Sequence, residues 1–335
     1  MSDQTIHKIL PIGIFHEHQD WFRPLFTELE RRDIPYVRID ARQHVYDPKA
    51  GAAPFSLVVN RMSPSAYLRG AGQGIFHTHG YLAHLERLGV PIVNGRLAYT
   101  VETSKALQLE IMEELGLPYP RARVINHPEQ ALAAAEGLRY PVVVKPNIGG
   151  SGAGIVRFDD QTILRQAVED GQIDLGIDQT ALVQEYIPAR GGHITRVETL
   201  DRRYLYAINV YNTGQGFNLC PADICQTTDG VELSRGACPA DAPKSGIRVE
   251  ATTPPPEVIA AVERMVEASG IDVGGIEYIV DDRDGKILYY DINALSNFVA
   301  DAGRVIGFDP HVRLVDYLER RAREGSSTAH SIGSR

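Results

Sequence analysis

The segment "VVVKPNIGGSGAGIVRF", residues 142–158, constrains the fold more than any other stretch of the chain. A Walker-type phosphate loop carries a lysine after its glycines and continues into a helix, whose amide groups face the phosphates. Here Lys145 precedes the glycines, and the β-branched residues Ile155 and Val156 follow them. The pattern therefore predicts a loop between two strands, which is either a turn without chemistry or a flap over a nucleotide.

Several residues of this loop suit contact with an anion. Glycines let backbone amides approach a phosphate closely, because they carry no side chain that would block it. Lys145 would bring an ammonium group from the end of the preceding strand, and Ser151 a hydroxyl donor. The candidate phosphate-binding glycines are Gly149, Gly150, Gly152 and Gly154. Glycine-rich hairpin tips are also common without any ligand, so the loop alone leaves both interpretations open.

A second feature, near the C-terminus, is a hairpin with acidic residues. The apolar runs "GGIEYIV" and "KILYYDIN" flank the turn "DDRDG". If the turn centres on Asp284, Glu277 and Asp291 lie seven residues from it on either side and face each other. Asn293 lies two residues further on, and therefore on the same face of its strand. The spacing predicts three oxygen ligands on one face of the sheet.

Opposed carboxylates destabilise a sheet unless something positive lies between them. An oxygen-rich set such as Glu277, Asp291 and Asn293 suits Mg²⁺ that carries substrate phosphates, with Mn²⁺ as the alternative ion. The ligand-free hairpin is then expected to carry charge repulsion that the metal relieves. Two other interpretations stay open, a solvated sheet face and carboxylates neutralised by arginines. A one-residue slip in register would also separate the pair.

The first hundred residues alternate short apolar runs with amphipathic stretches. Strands are predicted in "KILPIGIF", "IPYVRID", "FSLVVNR" and "VPIVNG", and helices in "DWFRPLFTELERR" and "YLAHLERL". This alternation predicts a βαβ domain with a parallel sheet. No G-x-G-x-x-G follows the first strand, so the dinucleotide fingerprint is absent. Arg61, Ser63 and Ser65 follow a predicted strand, where they would either bind a carboxylate or phosphate or serve as capping residues.

A helix is predicted in "TSKALQLEIMEELG" at the end of this region. Leu107, Ile111 and Leu115 stack along it at four-residue spacing, and Gly116 supplies a stop. The last residues, "GSSTAHSIGSR", have the composition of a disordered tail.

Composition and charge exclude some classes of protein. The chain has 335 residues and a formal net charge of −9, which argues against a general nucleic-acid binder. No apolar run approaches the ~20 residues of a membrane span, and the first residues lack the basic region of a secretory signal. We therefore expect a cytoplasmic protein without a membrane or nucleic-acid partner. Cys220, Cys225 and Cys238 are odd in number and lack zinc-like spacing, which favours reduced thiols.

Four motifs in order resemble the ATP-grasp superfamily, and most closely its RimK-type carboxylate–amine ligases. They are a helix that carries Lys105, then "VVVKPNIGGSGAGI", "LVQEYI" and "YYDINALSN". The resemblance implies an α/β protein with α+β lobes, which is the ATP-grasp fold preceded by a pre-ATP-grasp βαβ domain. Its implied divisions are 1–100 for that first domain, 101–183 for the small lobe with the flap, 184–325 for the large lobe with the metal site, and 326–335 for the tail.

The same resemblance implies roles for individual residues. Lys105 and Lys145 would contact the phosphates of ATP, and Arg196 would lie near the γ-phosphate and the acyl intermediate. His193 would replace the acidic residue that often holds the ribose. The loop 149–154 would close over the phosphates. The hinge that reads adenine would consist of Gln184, Glu185, Tyr186 and Ile187. One or two Mg²⁺ would be held by Glu277, Asp291 and Asn293.

The implied activity is ATP-dependent joining of a small-molecule carboxylate to an amine through an acyl phosphate, with release of ADP and phosphate. Lys145 and Arg196 would be the catalytic residues. A phosphotransferase on the same scaffold is the alternative, and a nucleotide sensor without turnover is a third. The usual Asn-x-Ser-Pro-Gly turn after the metal ligands is here "NALSNF", so the acceptor is not implied. A homo-oligomeric state stays open.

Overall fold

The computed structural model describes residues 10–18, 20–150, 152–211 and 248–332. Ser151 lies outside these ranges, and so do the three cysteines for which reduced thiols are predicted. In the described part of the chain, no helix is both long and apolar enough to cross a membrane.

The first part of the chain folds around a parallel sheet with the strand order β2-β1-β3-β4. Every residue of the two central strands is buried, which explains why they read as continuous apolar runs. The strands are β1 Ile12–His16, β2 Tyr36–Asp40, β3 Leu57–Arg61 and β4 Ile92–Val93. The helices are α1 Arg23–Arg31 and α2 Gly72–Arg87. The predicted βαβ pattern is confirmed, although α2 begins nine residues before the stretch that predicted it.

Two helices lead into a second, antiparallel sheet with the order β5-β8-β6-β7. These helices are α3 Arg96–Glu102 and α4 Lys105–Glu114. The Ser104 side chain accepts a hydrogen bond from the amide of Leu107 and so caps α4, which fixes where the helix begins. The strands are β5 Ala122–Ile125, β6 Val142–Pro146, β7 Val156–Phe158 and β8 Ala181–Glu185. The remaining helices of this part are α5 Ala131–Ala134 and α6 Gln161–Glu169.

The buried face of α4 differs from the stack of three apolar residues in the sequence. Leu107 is 40% exposed, and the residues that the helix buries are Gln108, Leu109 and Met112. The core side of α4 therefore includes the polar side chain of Gln108, where the sequence pattern predicts apolar residues.

The glycine-rich segment joins β6 to β7, as predicted. Gly152 and Gly154 have φ angles of 72° and 74°, in the left-handed region that favours glycine. A Cβ atom at Gly154 would also lie 2.8 Å from Cγ of Pro146. The turn geometry itself therefore requires glycine at position 154.

The third part is an antiparallel sheet, and its described strands have the order β11-β10-β9-β12-β13. The strands are β9 His193–Leu200, β10 Arg203–Tyr211, β11 Val249–Thr252, β12 Val273–Val280 and β13 Ile287–Asn293. Helix α7, Pro256–Ala268, packs Val262 and Met265 on this sheet in one core with α4. Helices α8 Ala302–Val305 and α9 Pro310–Ile332 follow.

The end of α9 corrects the prediction of a disordered tail. Residues 326–332 continue the helix, whereas the sequence predicts disorder from residue 326. No proline follows Pro310, and extending an established helix adds one hydrogen bond for each residue that it fixes. The polar composition of the tail was therefore a poor guide to its backbone.

The β12–β13 hairpin pairs Glu277 with Asp291, as predicted. The reason is more complex than the symmetric turn that the prediction assumed. Near the turn Val280 pairs with Ile287, which places the centre between residues 283 and 284. A β-bulge at Tyr290 then takes up one residue and brings Glu277 and Asp291 opposite each other.

Candidate active site

A cavity lies where the flap, the second sheet and the β12–β13 hairpin meet. It gathers residues predicted from separate motifs. Two lysines, Lys105 and Lys145, lie on its wall together with the flap residues Gly149, Gly150 and Gly152. The predicted hinge supplies Gln184, Glu185, Tyr186 and Ile187. The predicted metal ligands Glu277, Asp291 and Asn293 complete the set.

Three predicted site residues lie off the described cavity wall. Gly154 shapes the turn of the flap, and Arg196 lies behind Glu277. The ring of His193 packs against Tyr211, with 5.0 Å between the ring centroids, and its Nδ1 lies 3.3 Å from the carbonyl oxygen of Gly191. His193 is therefore not part of the cavity in this structure, and a ribose contact from it stays a prediction.

Lys105 and Asp291 form an ion pair inside the site. Their Nζ and Oδ1 atoms are 2.6 Å apart, and the side chains are only 13% and 19% exposed. Burial opposes both charges, but the partner outweighs it, so the pKa of Lys105 is raised and that of Asp291 is lowered. Both groups are therefore charged before any ligand binds.

Lys145 has the opposite electrostatic character. It is 5% exposed, and no hydrogen bond or ion pair joins its ammonium group to another residue of the described ranges. Burial, and secondly the nearby charge of Lys105, lower the pKa of Lys145 to about 7. An anion in the cavity would relieve this penalty, so Lys145 is poised to receive one.

Glu277 is held from two sides. Arg196 donates from Nη1 to Oε1 at 2.9 Å, and the hydroxyl of Tyr290 donates to Oε2 at 2.7 Å. Arg196 also donates from Nε to Glu198 at 2.6 Å. Burial raises the pKa of Glu277 against the opposing charge of Arg196. The glutamate is thus fixed in direction while it faces the cavity.

These contacts correct the expectation of charge repulsion in the ligand-free hairpin. Asp291 is neutralised by Lys105, and Glu277 by Arg196. The prediction of unrelieved repulsion is therefore wrong. Arginine neutralisation, one of the alternative interpretations, accounts for Glu277, while the lysine partner of Asp291 comes from a helix that is distant in sequence.

The donor set of the hairpin fits Mg²⁺ in the way that nucleotide enzymes bind it. Two carboxylates and the carboxamide of Asn293 offer oxygen atoms, and Mg²⁺ is usually held by one or two carboxylates plus substrate phosphates. In the described ranges, no group of three His, Cys, Asp or Glu side chains could hold a metal alone. The buried Nδ2 of Asn293 has no hydrogen-bond partner there, so the donor end of this carboxamide is not held by another residue of those ranges.

Two residues of the site are not evident from the sequence. Strict alternation along β13 would direct the side chain of Tyr290 away from Glu277, but the bulge at this residue turns it toward Glu277. The double tyrosine in "YYDIN" is the one sign of this contact in the sequence motif. Asn147, just after Lys145, accepts from the amide of Ala106 at 2.9 Å and donates to Asp178 at 2.7 Å. It thereby ties the base of the flap to the start of α4.

Arg61, a candidate anion ligand, instead joins the first domain to the segment after the hairpin. Its guanidinium donates to the carbonyl oxygen of Ser296 and, at 3.1 Å, to Oδ1 of Asn297. The hydroxyls of Ser63 and Ser65 contact each other at 2.8 Å in the turn after β3. In this structure Arg61 therefore joins the end of β3 to the segment after β13, whereas the two serines bond to each other within the turn.

Comparison with known proteins identifies the fold around this cavity. Residues 102–215 match the family model described as a RimK-like ATP-grasp domain. The chain contains an ATP-grasp domain. The solved ATP-grasp ligase PsnB, complexed with a phosphomimetic variant of its minimal precursor, Mg and ADP, aligns with a TM-score of 0.66 and 17% identity. The alignment covers 94% of this chain and 100% of that one, so the chain shares the ATP-grasp fold over nearly all of its length.

Curated relatives match at low identity. The carbamoyl phosphate synthase large chain of Thermotoga neapolitana is 24% identical over 237 residues, which are 67% of this chain and 19% of that protein. The D-alanine–D-alanine ligase of Geobacter sulfurreducens is 29% identical over 150 residues, 41% of this chain and 46% of that ligase. The chain thus spans about a fifth of the length of the carbamoyl phosphate synthase relatives.

Proposed function

We propose that this chain is an ADP-forming ligase that joins a carboxylate to an amine through an acyl phosphate. The observation that supports it best is the cavity, where Lys105 and Lys145 stand beside the oxygen ligands Glu277, Asp291 and Asn293 under a glycine flap. The names of the relatives point the same way, since one is a D-alanine–D-alanine ligase and another is an ATP-grasp ligase solved with Mg and ADP.

The nucleotide is proposed to lie with its adenine against the hinge. Val143, Ile187 and Ile279 give that end of the cavity an apolar lining. The carboxylate of Glu185 already accepts from the amide of Arg139 at 2.9 Å, so this side chain shapes the hinge. We therefore assign adenine recognition to the backbone of residues 184–187 and to apolar contact.

The phosphates are proposed to lie between the flap and the two lysines. Lys145 would take up a proton and pair with them, since its charge has no protein partner in the described ranges. Amides of Gly149, Gly150 and Gly152 would contact them from above, and Ser151 is proposed to add its hydroxyl. Phosphoryl transfer needs such positioning and charge stabilisation more than covalent help from the protein.

Glu277, Asp291 and Asn293 would hold Mg²⁺ or, with the same ligands, Mn²⁺. The bound ion would neutralise charge on the transferring phosphoryl group. Arg196 and Tyr290 would keep Glu277 directed at the cavity, and a direct contact of Arg196 with the γ-phosphate stays a prediction. Lys105 would turn from Asp291 to the phosphates as the nucleotide enters, and the metal ion would take its place beside Asp291.

The chemistry then has two steps. A carboxylate oxygen attacks the γ-phosphorus, the bond to the ADP oxygen breaks, and an acyl phosphate forms. A neutral amine attacks the acyl carbon, loses a proton and expels phosphate. Because water hydrolyses acyl phosphates, closure of the glycine flap over the cavity would protect the intermediate between the steps. We propose a small-molecule carboxylate and amine as the substrates, and the ATP-containing cytoplasm as the compartment.

The test is ADP release with pools of amino acids and small carboxylates, with and without hydroxylamine. The proposal expects ADP and phosphate, and hydroxamate when hydroxylamine replaces the amine. A phosphorylated product without hydroxamate would identify the alternative, a phosphotransferase. AMP and pyrophosphate would refute both, because the lysines and the metal ligands would then not surround the transferring γ-phosphoryl group.

A further inference from the structure

Strand β13, which carries Asp291 and Asn293, lies at the edge of its sheet among the described strands. One row of its peptide groups therefore has no neighbouring strand to bond to. Edge strands shift and bend more readily than central ones, because only one ladder of hydrogen bonds restrains them. The placement of the two proposed metal ligands depends on what holds this open edge.

Gln108 restrains the open edge of β13, because its carboxamide makes hydrogen bonds of the kind that a neighbouring strand would make. Its Nε2 donates to the carbonyl oxygen of Ile292 at 3.0 Å, and its Oε1 accepts from the Ile292 amide at 3.1 Å. Ile292 is the residue between Asp291 and Asn293. Gln108 is 2% exposed, and its Nε2 also donates to the carbonyl oxygen of Val101 at 3.1 Å. The carboxamide is thus buried and used at both of its ends.

The same helix carries a residue proposed to contact phosphate. Lys105 begins α4, and Gln108 follows one turn later, on the adjacent helical position. A rigid turn of helix therefore separates the Lys105–Asp291 ion pair from the Gln108–Ile292 hydrogen bonds. The two contacts together fix α4 against β13 both along the strand and across it.

Neighbouring side chains extend this restraint past the metal ligands. Glu102 accepts from the amide of Ala294, and Asn94 donates to the Ala294 carbonyl oxygen at 2.5 Å. Side chains therefore bond to the backbone amide and carbonyl groups of both Ile292 and Ala294. Among these three residues, only Gln108 lies on the helix that carries Lys105.

We propose that Gln108 is a positioning residue that sets Lys105 on α4 in register with Asp291 and Asn293 on β13. It would thereby fix the geometry in which the site holds Mg²⁺ and the triphosphate, and this inference rests on the function proposed above. A misplacement of about 1 Å in such a site is enough to cost about 100-fold in rate.

The test replaces Gln108→Met, which keeps the length of the side chain and removes its hydrogen bonds. We expect kcat/KM for ATP to fall about 100-fold. We also expect the rise in Tm that Mg²⁺ with a non-hydrolysable ATP analogue gives to fall to less than half of the wild-type rise. The matched control is Met265→Ala, in the same core on α7. It should lower Tm in the absence of ligand while keeping the ligand-induced rise.

The outcomes separate this inference from the proposed function. A wild-type protein whose Tm does not respond to Mg²⁺ and the analogue would count against the proposed function itself. A full ligand-induced rise in the Gln108→Met protein, beside a responsive wild type, would overturn the positioning role alone. If that variant does not fold, Gln108→Glu keeps an acceptor for the Ile292 amide, and an undiminished rise in that protein would overturn the role equally.

A double-variant cycle tests the stated route. If Gln108 acts by aligning Lys105, then Gln108→Met should weaken analogue binding much less in a Lys105→Met background than in the wild type. Losses that add fully in the double variant would show that Gln108 does not act through Lys105. A purely structural role would lower Tm in both backgrounds and leave analogue affinity unchanged in both.

Discussion

Binding of nucleotide at alkaline pH should be accompanied by uptake of a proton at Lys145. Burial and, secondly, the charge of Lys105 lower the pKa of Lys145 to about 7 in the ligand-free protein. A triphosphate against this ammonium would return its pKa toward the ordinary value of about 10.4. Binding and protonation are therefore coupled, and the coupling depends on pH.

The size of the uptake follows from that pKa. At pH 8, one unit above it, about a tenth of the ligand-free molecules carry the Lys145 charge, and nearly all do once the nucleotide is bound. We expect an uptake of about 0.9 proton for each nucleotide bound. At pH 6 the lysine is already charged in about nine tenths of the molecules, so the uptake should fall to about 0.1.

Isothermal titration calorimetry measures this uptake. Mg²⁺ and ATP are titrated into the protein without a carboxylate or an amine, in buffers that differ in ionisation enthalpy, at pH 6 and pH 8. Lys145→Arg is the matched control, since its guanidinium is charged throughout this range. The difference between the two proteins removes protons that the nucleotide itself exchanges.

Two results would refute the reasoning. Equal proton uptake by the wild type and the Lys145→Arg protein at pH 8 would show that another group takes up the proton. An uptake that stays the same between pH 8 and pH 6 would show that the group does not titrate near pH 7.

Three further outcomes are expected. Asp291→Asn should abolish Mg²⁺-dependent ADP formation. It should also lower the free energy of unfolding, measured by urea denaturation, by about 1–3 kcal/mol, because the buried Lys105 loses its counter-charge. Unchanged stability would contradict the ion pair. Burial raises the pKa of Glu102 to about 7 in the folded protein. The free energy of unfolding should therefore fall by up to about 3 kcal/mol as the pH rises from 4.5 to 7, and Glu102→Gln should abolish that fall. Gly154→Ala should weaken nucleotide affinity in a binding titration, whereas Gly89→Ala, with a similar φ but open space around it, should leave that affinity unchanged.

The sequence predicted the parts of the site that depend on local pattern. The position of Lys145 before the glycines distinguished a loop between strands from a Walker loop, and that loop is present. Seven-residue spacing around Asp284 paired Glu277 with Asp291, although a compensating bulge made the pairing possible. Short-range periodicity specifies which residues share a strand face, so these predictions required no knowledge of the tertiary structure.

Contacts between distant segments could not be predicted in this way. The partner of Asp291 is Lys105, which is 186 positions away in the chain. Gln108 interrupts the apolar face of α4, and in the sequence it resembles a surface residue until β13 is placed beside it. The charge state of the hairpin was mispredicted for the same reason, since neutralising cations arrive from elements whose proximity only the fold determines.

The link from Arg61 to Ser296 and Asn297 has a consequence for the construction of chimeras. One such chimera would exchange the first sheet and its helices for those of a protein with a similar fold. The guanidinium of Arg61 is buried against the segment that follows the metal hairpin, so the junction lies within one continuous packed surface. A chimera that keeps this chain's residues 296–297 but imports another first domain would leave their oxygens without a donor. Successful grafts should therefore transplant both pieces together, and the two should vary as one unit in any directed-evolution library.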